Sequence, residues 1–133
     1  MERISREKIK VRGFRRFIKS WKYSWDGLSY AYQNEQSMLI HFIVSIFAII
    51  LGLYFGFTTT EWIIIGLTLS VVLVAELFNT AIEAVVDMVT LEIHPLAKIA
   101  KDCGSAATFI CSSVGFLIYT AILLPYVIQI FGW

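Results

Sequence analysis

Three long apolar stretches, separated by short polar connections, dominate the hydrophobic pattern of the chain. They cover residues 38–57, 62–89 and 104–131, and the third contains no charged residue. About 20 helical residues cross roughly 30 Å of hydrocarbon, so the pattern predicts three transmembrane helices. The second stretch is unusual because its first part, 62–75, is uncharged and the remainder carries acids.

A second helical periodicity precedes these stretches. Its apolar face consists of Val11, Phe14, Ile18, Trp21 and Trp25. Basic residues occupy the other faces: Lys10, Arg12, Arg15, Arg16, Lys19 and Lys22. The pattern predicts an amphipathic helix on the membrane surface. A break at 24–27 is expected to start a second surface helix toward Glu35, so that 1–35 form cytoplasmic surface helices.

Composition supports an all-α integral membrane protein with one domain over 1–133. Hydrophobic residues make up 58% of the chain and charged residues 16%. Soluble domains have about 45–50% and about 25%, so this chain has too few polar residues to cover a soluble core. Cys103 and Cys111 lie eight residues apart in an apolar stretch. That spacing favours helix packing over a disulfide or a metal site.

The charge is divided unevenly along the chain. Nine basic and three acidic residues give 1–34 a net charge of +6, whereas 35–133 carry −5. The connection 90–102 holds Lys98 and Lys101, and the first connection has no basic residue. The positive-inside rule therefore predicts that the amino-terminus and 90–102 face the cytoplasm. The basic segment is interpreted as an anchor to anionic lipid rather than a nucleic-acid binding site.

Acidic residues within the second apolar stretch are the main functional signal. At 100° per residue, Glu83 and Asp87 lie within about 20° of Glu76 around a helix, with Asn79 one turn away. Each charge at membrane depth costs roughly 2.5–3.5 kcal/mol. Two interpretations remain open: a structural polar stripe that joins helices, or a functional site. The functional interpretation is favoured because ionisable residues within membranes usually mark sites.

Several carboxylates without a Cys/His cluster favour a hard, oxygen-ligated cation such as Mg²⁺. Glu35, just before the first span, is a further possible ligand or an ordinary helix-end acid. Glu76 lies deepest, which suits a general base more than a metal ligand. Lys101 is either a phosphate partner or an interfacial lysine that snorkels to the surface. His41 is expected to have an interfacial role, and the His-Pro pair in the loop predicts non-helical backbone.

The motif from Glu76 to Asp87, ELFNTAIEAVVD, is followed by AKDCGSAA at 100–107, and YSWDGL begins at Tyr23. With Asn34-Glu35, these segments closely resemble the bacterial diacylglycerol kinase/undecaprenol kinase family. The resemblance runs from about residue 13 through the third span. It implies a homotrimeric helical bundle with active sites between subunits. It also implies ATP-dependent phosphorylation of a lipid hydroxyl at the bacterial cytoplasmic membrane.

The resemblance also implies roles for individual residues. Glu76 matches the catalytic base, and Asn79 matches a neighbouring active-site residue. Glu35 and Glu83 match the acids that hold Mg²⁺ on the ATP phosphates. The positions implied for nucleotide contact are Arg16, Tyr23, Glu35, Glu83, Asp87, Glu92, His94, Lys101 and Asp102. The positions implied for the lipid substrate are Arg16, Glu76 and Ser105.

The long basic amino-terminus and His41, where diacylglycerol-type members carry an acid, resemble the Gram-positive undecaprenol kinase branch. Undecaprenol is therefore the expected substrate, and diacylglycerol is the alternative. Two other classes compete with a kinase: a small proton- or cation-coupled transporter that uses Glu76, and a structural membrane subunit. Small exporters usually have four spans and lack the acidic cluster with Lys-Asp, which favours the kinase.

Overall fold

The computed structural model of the protein describes residues 14–132. Within this range the chain forms four helices: α1 (Phe14–Asn34), α2 (Gln36–Phe55), α3 (Thr59–Val89) and α4 (Pro95–Phe131). The chain divides between Asn34 and Glu35 into two compact units, so α1 is described separately from α2–α4. The all-α class is confirmed for the described part of the chain.

Three helices are long and apolar enough to cross a membrane, as the sequence predicted. They are Gln36–Phe55, Thr59–Val89 and Pro95–Ile130, with 20, 31 and 36 residues. At 1.5 Å per residue, α3 is about 46 Å long, which exceeds the hydrocarbon thickness. The acidic part of α3 can therefore extend beyond the apolar layer.

Helix α4 begins at Pro95, nine residues before the predicted start at 104. The prediction of a connection over 90–102 is therefore wrong for 95–102. Proline is well suited to the first helical position because its φ is already fixed there. The His94 side chain caps the helix, since its Nδ1 accepts a hydrogen bond from the Leu96 amide at 3.2 Å.

Helix α1 is continuous through Gly27, so the predicted break at 24–27 is wrong. Ser24 does not cap a new helix, because its hydroxyl donates to the Ser20 carbonyl at 3.0 Å. Helix α1 continues to Asn34, and the first non-helical residue after it is Glu35, where φ is −107° and ψ is 116°. On the predicted apolar face, Trp21 and Trp25 are exposed, and Val11 lies outside the described residues. The membrane-surface role of α1 stays a prediction.

The turn between α2 and α3 is tight and aromatic. Helix α2 ends at Phe55 and is capped by Gly56, whose φ of 70° lies in the left-handed region that favours glycine. Thr58 and Glu61 then form a capping box at the start of α3. A Cβ on Gly52 would lie 2.7 Å from the Trp62 ring, so only glycine allows this ring to pack against α2.

Helices α3 and α4 approach closely through small residues. A Cβ on Gly115 would lie 3.0 Å from Cγ2 of Thr68, and one on Gly104 would lie 2.4 Å from Oδ1 of Asn79. The absence of a side chain at Gly104 thus allows α4 to pack against Asn79 of α3, whereas Ser105 is exposed. This packing brings α4 directly against the acidic part of α3.

Candidate active site

The exposure of the polar side chains in the second part of α3 increases from Glu76 toward Asp87. Glu76 is 4% exposed and Asn79 is 9% exposed. Glu83 is half-buried, and Asp87, near the end of the helix, is exposed. A carboxylate buried as deeply as Glu76 needs hydrogen-bond partners to offset its lost hydration.

Those partners come from α2. The Ser37 hydroxyl donates to Oε2 of Glu76 at 3.0 Å. Nε2 of His41 lies 3.0 Å from Oε1 of the same carboxylate. Nε2 also lies 3.4 Å from the Ser112 hydroxyl on α4. Side chains from three helices therefore meet around Glu76.

Asn79, about one turn after Glu76 on α3, is hydrogen-bonded to Glu83. Its Nδ2 donates to Oε1 of Glu83 at 3.0 Å. Its Oδ1 is buried without a hydrogen-bond partner and points at Gly104. Buried polar atoms are nearly always paired, so this acceptor is available to a donor that joins the site.

Glu35 brings a third carboxylate into the same electrostatic environment. Burial raises the pKa of Glu35 above its ordinary value, and repulsion from Glu83 and Glu76 raises it further. Its side chain does not cap α2, although Glu35 occupies the N-cap position. The carboxylate is therefore free of a capping role, and its raised pKa means that its anionic form is less favoured than that of an ordinary glutamate.

The donor set fits a magnesium ion that arrives with phosphate. Within residues 14–132, no three His, Cys, Asp or Glu side chains lie close enough to form a complete metal site. Kinase Mg²⁺ is typically held by one or two carboxylates, and phosphates and waters complete the coordination. Glu35 and Glu83 are candidates for these carboxylates, because the charge of Glu83 raises the pKa of Glu35 and a cation close to both would relieve that repulsion.

Cationic residues on α4 are paired with acids in this structure. Nζ of Lys101 lies 2.6 Å from Oδ1 of Asp87 on α3. Lys98 and Asp102 form an ion pair along α4. Lys98, which sequence reasoning did not single out for chemistry, is therefore the ion-pair partner of Asp102. Lys101 lies on the same side of α3 as the acids, as a phosphate partner requires.

The other predicted site residues are exposed and make few contacts. The amide of Glu92 donates to Oγ1 of Thr90 at 3.1 Å, and His94 caps α4. Ser105 is exposed, and its carbonyl accepts from Thr108. Arg16 and Tyr23 are exposed on α1, in the other compact unit. Within the unit that contains α2–α4, no hydrogen bond joins the described side chains of Glu92, His94 or Ser105 to Glu76.

Sequence reasoning missed Ser37 and His41 as neighbours of Glu76. A usable signal was their spacing, because residues four apart share one face of a helix. That face of α2 would then carry two polar groups within an apolar stretch, which indicates a polar partner on another helix. The interfacial role expected for His41 does not describe its contact with Glu76.

Residues 22–123 match the family described as prokaryotic diacylglycerol kinase. A diacylglycerol kinase of Helicobacter pylori is 37% identical over 122 residues, which cover 92% of each chain. A diacylglycerol kinase of Escherichia coli K12 is 33% identical over 84% of this chain and 91% of the relative. The undecaprenol kinase of Bacillus subtilis is 34% identical over 83% of this chain and 89% of the relative.

Three apolar helices and a carboxylate network between them define an integral membrane protein with a polar site. The comparisons identify its class. The chain belongs to the prokaryotic diacylglycerol kinase family, and it is a lipid kinase. Family membership therefore favours an enzyme over the structural membrane subunit that the sequence left open.

Proposed function

We propose that the protein transfers the γ-phosphoryl group of ATP to the hydroxyl of undecaprenol, in a Mg²⁺-dependent reaction at the cytoplasmic membrane face. The observation that carries this proposal is the buried Glu76 carboxylate. It is held by two hydrogen-bond partners and lies near Asn79 and Glu83. A general base that must accept a proton from a lipid alcohol needs such a water-poor location.

The proposed chemistry assigns one task to each part of the site. Glu76 takes the hydroxyl proton while the lipid oxygen attacks the γ-phosphorus and the bond to the bridging oxygen of ADP breaks. Glu35 and Glu83 would hold Mg²⁺, which supplies charge neutralisation on the phosphate oxygens. Asn79 fixes Glu83 through its amide and offers its unpaired Oδ1 to the bound reactants.

Lys101 is proposed to exchange its Asp87 partner for a phosphate oxygen when the nucleotide binds. Its ion pair with Asp87 keeps the ammonium group at the acidic side of α3 before that exchange. The remaining nucleotide contacts are proposed at Arg16, Tyr23, Asp87, Glu92, His94 and Asp102. Ser105 and Arg16 are proposed to contact the lipid.

The homotrimer in the cytoplasmic membrane is proposed from the family resemblance, and the exposed apolar surface of the helices is consistent with it. Many large apolar side chains of α2–α4 are exposed, among them Phe47, Leu67 and Phe116. Lipid or neighbouring subunits would cover them, and the arginine- and lysine-rich amino-terminus would face the cytoplasm. In this arrangement a neighbouring subunit would complete the partly open acidic site.

The choice of undecaprenol rests on the basic amino-terminus and on His41. The relatives include kinases named for each lipid, at 33–37% identity. Family membership favours a kinase over a transporter that uses Glu76. Diacylglycerol is the alternative acceptor for the same chemistry.

Transfer of radiolabelled phosphate from ATP to undecaprenol and to diacylglycerol, measured side by side, tests this proposal. Purified protein should label undecaprenol faster, and removal of Mg²⁺ should stop the reaction. Much faster labelling of diacylglycerol would overturn the substrate assignment. Labelling that continues after complete chelation of divalent ions would overturn the metal dependence.

A further inference from the structure

We propose that His41 is a positioning residue which, together with Ser37, holds the Glu76 carboxylate in one orientation for proton abstraction from the lipid hydroxyl. This inference rests on the proposed function, because it assigns a task within the same reaction. It concerns a side chain that touches the base rather than the substrate.

Two side chains of one helix, Ser37 and His41, hold the Glu76 carboxylate, and we call this pair the clamp. Ser37 and His41 are one turn apart on α2, so their side chains point the same way. Each contacts a different oxygen of Glu76, Ser37 at Oε2 and His41 at Oε1, both at 3.0 Å. Two contacts from one helix fix both the position of the carboxylate and the rotation of its plane.

The clamp leaves capacity for the substrate. A carboxylate has about four lone-pair sites, and the two partners on α2 use one on each oxygen. When Glu76 is ionised, as a general base must be, Nε2 of His41 has to carry a proton and donate it, because an ionised carboxylate can only accept. Oxygen lone pairs of Glu76 thus remain for the hydroxyl of the lipid.

His41 is itself located by its surroundings. The Ser112 hydroxyl of α4 lies 3.4 Å from the same Nε2 atom. The Ser45 hydroxyl donates to the main-chain carbonyl of His41 at 2.7 Å, a bond within α2 that places no restraint on the imidazole. The side chain of His41 is 28% exposed while that of Glu76 is 5% exposed. The imidazole is thus more exposed than the carboxylate that it contacts.

Orientation matters because proton transfer depends steeply on geometry. A displacement of about 1 Å in a reacting group can cost about 100-fold in rate. A glutamate has several rotatable bonds, so an unrestrained Glu76 would spend much of its time away from the productive geometry. A residue that only joined α2 to α3 would change stability and leave the rate of the folded enzyme intact.

Two substitutions at His41 separate these roles. His41→Gln keeps an N–H donor near the position of Nε2, whereas His41→Phe keeps a ring and removes the donor. Activity of the full-length protein is measured with Mg-ATP and lipid alcohol, with kcat and KM determined separately. We expect H41F to lower kcat about 10- to 100-fold and to leave KM for Mg-ATP nearly unchanged, and H41Q to retain most of kcat.

Serine substitutions on the same helix provide a matched pair. Ser37→Ala removes the second donor and should lower kcat about fivefold, the equivalent of a hydrogen bond of about 1 kcal/mol. Ser45→Ala removes a hydroxyl that bonds only to its own helix, and kcat should not change. Melting temperature and size-exclusion elution of each variant in detergent report folding and assembly.

Equal kcat in folded H41F and wild type would overturn the inference, as would equal losses in H41F and H41Q. If H41F does not fold, the comparison of H41Q and S37A with S45A decides: a fall in kcat for S37A alone supports the clamp, and three unchanged rates overturn it. Wild-type protein that labels neither lipid would instead overturn the proposed function, since that arm contains no substitution.

Discussion

Two carboxylates on the same helix, Glu61 and Glu76, are held in different ways. Glu61 lies in the first turn of α3, and its Oε2 accepts from the Thr58 amide at 2.6 Å and from the Tyr126 hydroxyl at 2.8 Å. Glu76 lies in mid-helix, and among the residues that the structure describes its carboxylate has hydrogen-bond partners at Ser37 and His41, both on α2. One acid is thus held largely by its own turn and the other entirely by side chains of a different helix.

The difference follows from where a helix has free donors. The first four amides of a helix lack intrahelical partners, so an acid such as Glu61 stabilises the helix start. In mid-helix every amide is already bonded within the helix. A buried acid there must recruit side chains, and an apolar residue would often be as stable. The location of Glu61 is explained by folding, whereas folding alone does not explain the location of Glu76.

The largest effect is expected for Glu76→Gln. This change keeps the shape of the side chain and removes the group that accepts the proton. Loss of a general base typically lowers kcat by about 10²- to 10⁴-fold. Initial rates of phosphate transfer from ATP to the lipid measure the loss. Size-exclusion elution and melting temperature should show an assembled protein, and an active E76Q enzyme would break the comparison between the two acids.

A smaller effect is expected for Glu83→Gln, which keeps the contact with Asn79 and removes one charge from the proposed metal site. The Mg²⁺ concentration that gives half-maximal activity should rise at least about 10-fold, as for losses at other metal sites. Titration of the rate with Mg²⁺ at saturating ATP measures it. An unchanged titration curve would count against Glu83 as a ligand.

Gly104→Ala tests whether activity depends on the close packing of α4 against Asn79. A Cβ at Gly104 would lie 2.4 Å from Oδ1 of Asn79, so the side chain or α4 must move. Overpacking of this kind costs about 1–3 kcal/mol, and kcat should fall about 10-fold because Asn79 shifts with Glu83. Gly66→Ala is the matched control, since a Cβ there meets nothing within 4 Å. Equal activity of the two variants would contradict the prediction.

The pKa of Glu35 offers a test without turnover. Burial is the main cause of its raised pKa, and the charges of Glu83 and Glu76 add to it. Without Mg²⁺, Glu35 should therefore take up a proton at a higher pH than an ordinary glutamate as the pH falls. In E83Q the pKa should decrease but remain raised by burial. NMR titration of ¹³C-labelled glutamate carboxyls, assigned with Glu35→Gln, measures both values, and an identical pKa in E83Q would show that the two acids do not interact.

Much of this arrangement could be predicted from the sequence, because it depends on local periodicity. The three apolar helices and the alignment of Glu76 with Glu83 follow from spacing alone. The early start of α4 was missed because the residue before Pro95 avoids helical geometry, although proline itself is favoured at a first helical position. The contact of His41 with Glu76 joins residues 35 positions apart. Such a contact depends on how helices pack, which local periodicity does not specify.

The smallest effect on activity is expected for Glu61→Gln. The substitution weakens the capping box and the bond to Tyr126 but leaves the acidic site unchanged, so the rate should stay within about twofold of wild type. Loss of a capping interaction costs about 1 kcal/mol, and the melting temperature should therefore fall by a few degrees. E76Q and E61Q then form a double contrast, since one removes activity with little loss of stability and the other does the reverse. A large fall in kcat for E61Q would show that the aromatic turn is coupled to the acidic site and that the two carboxylates do not divide folding from chemistry.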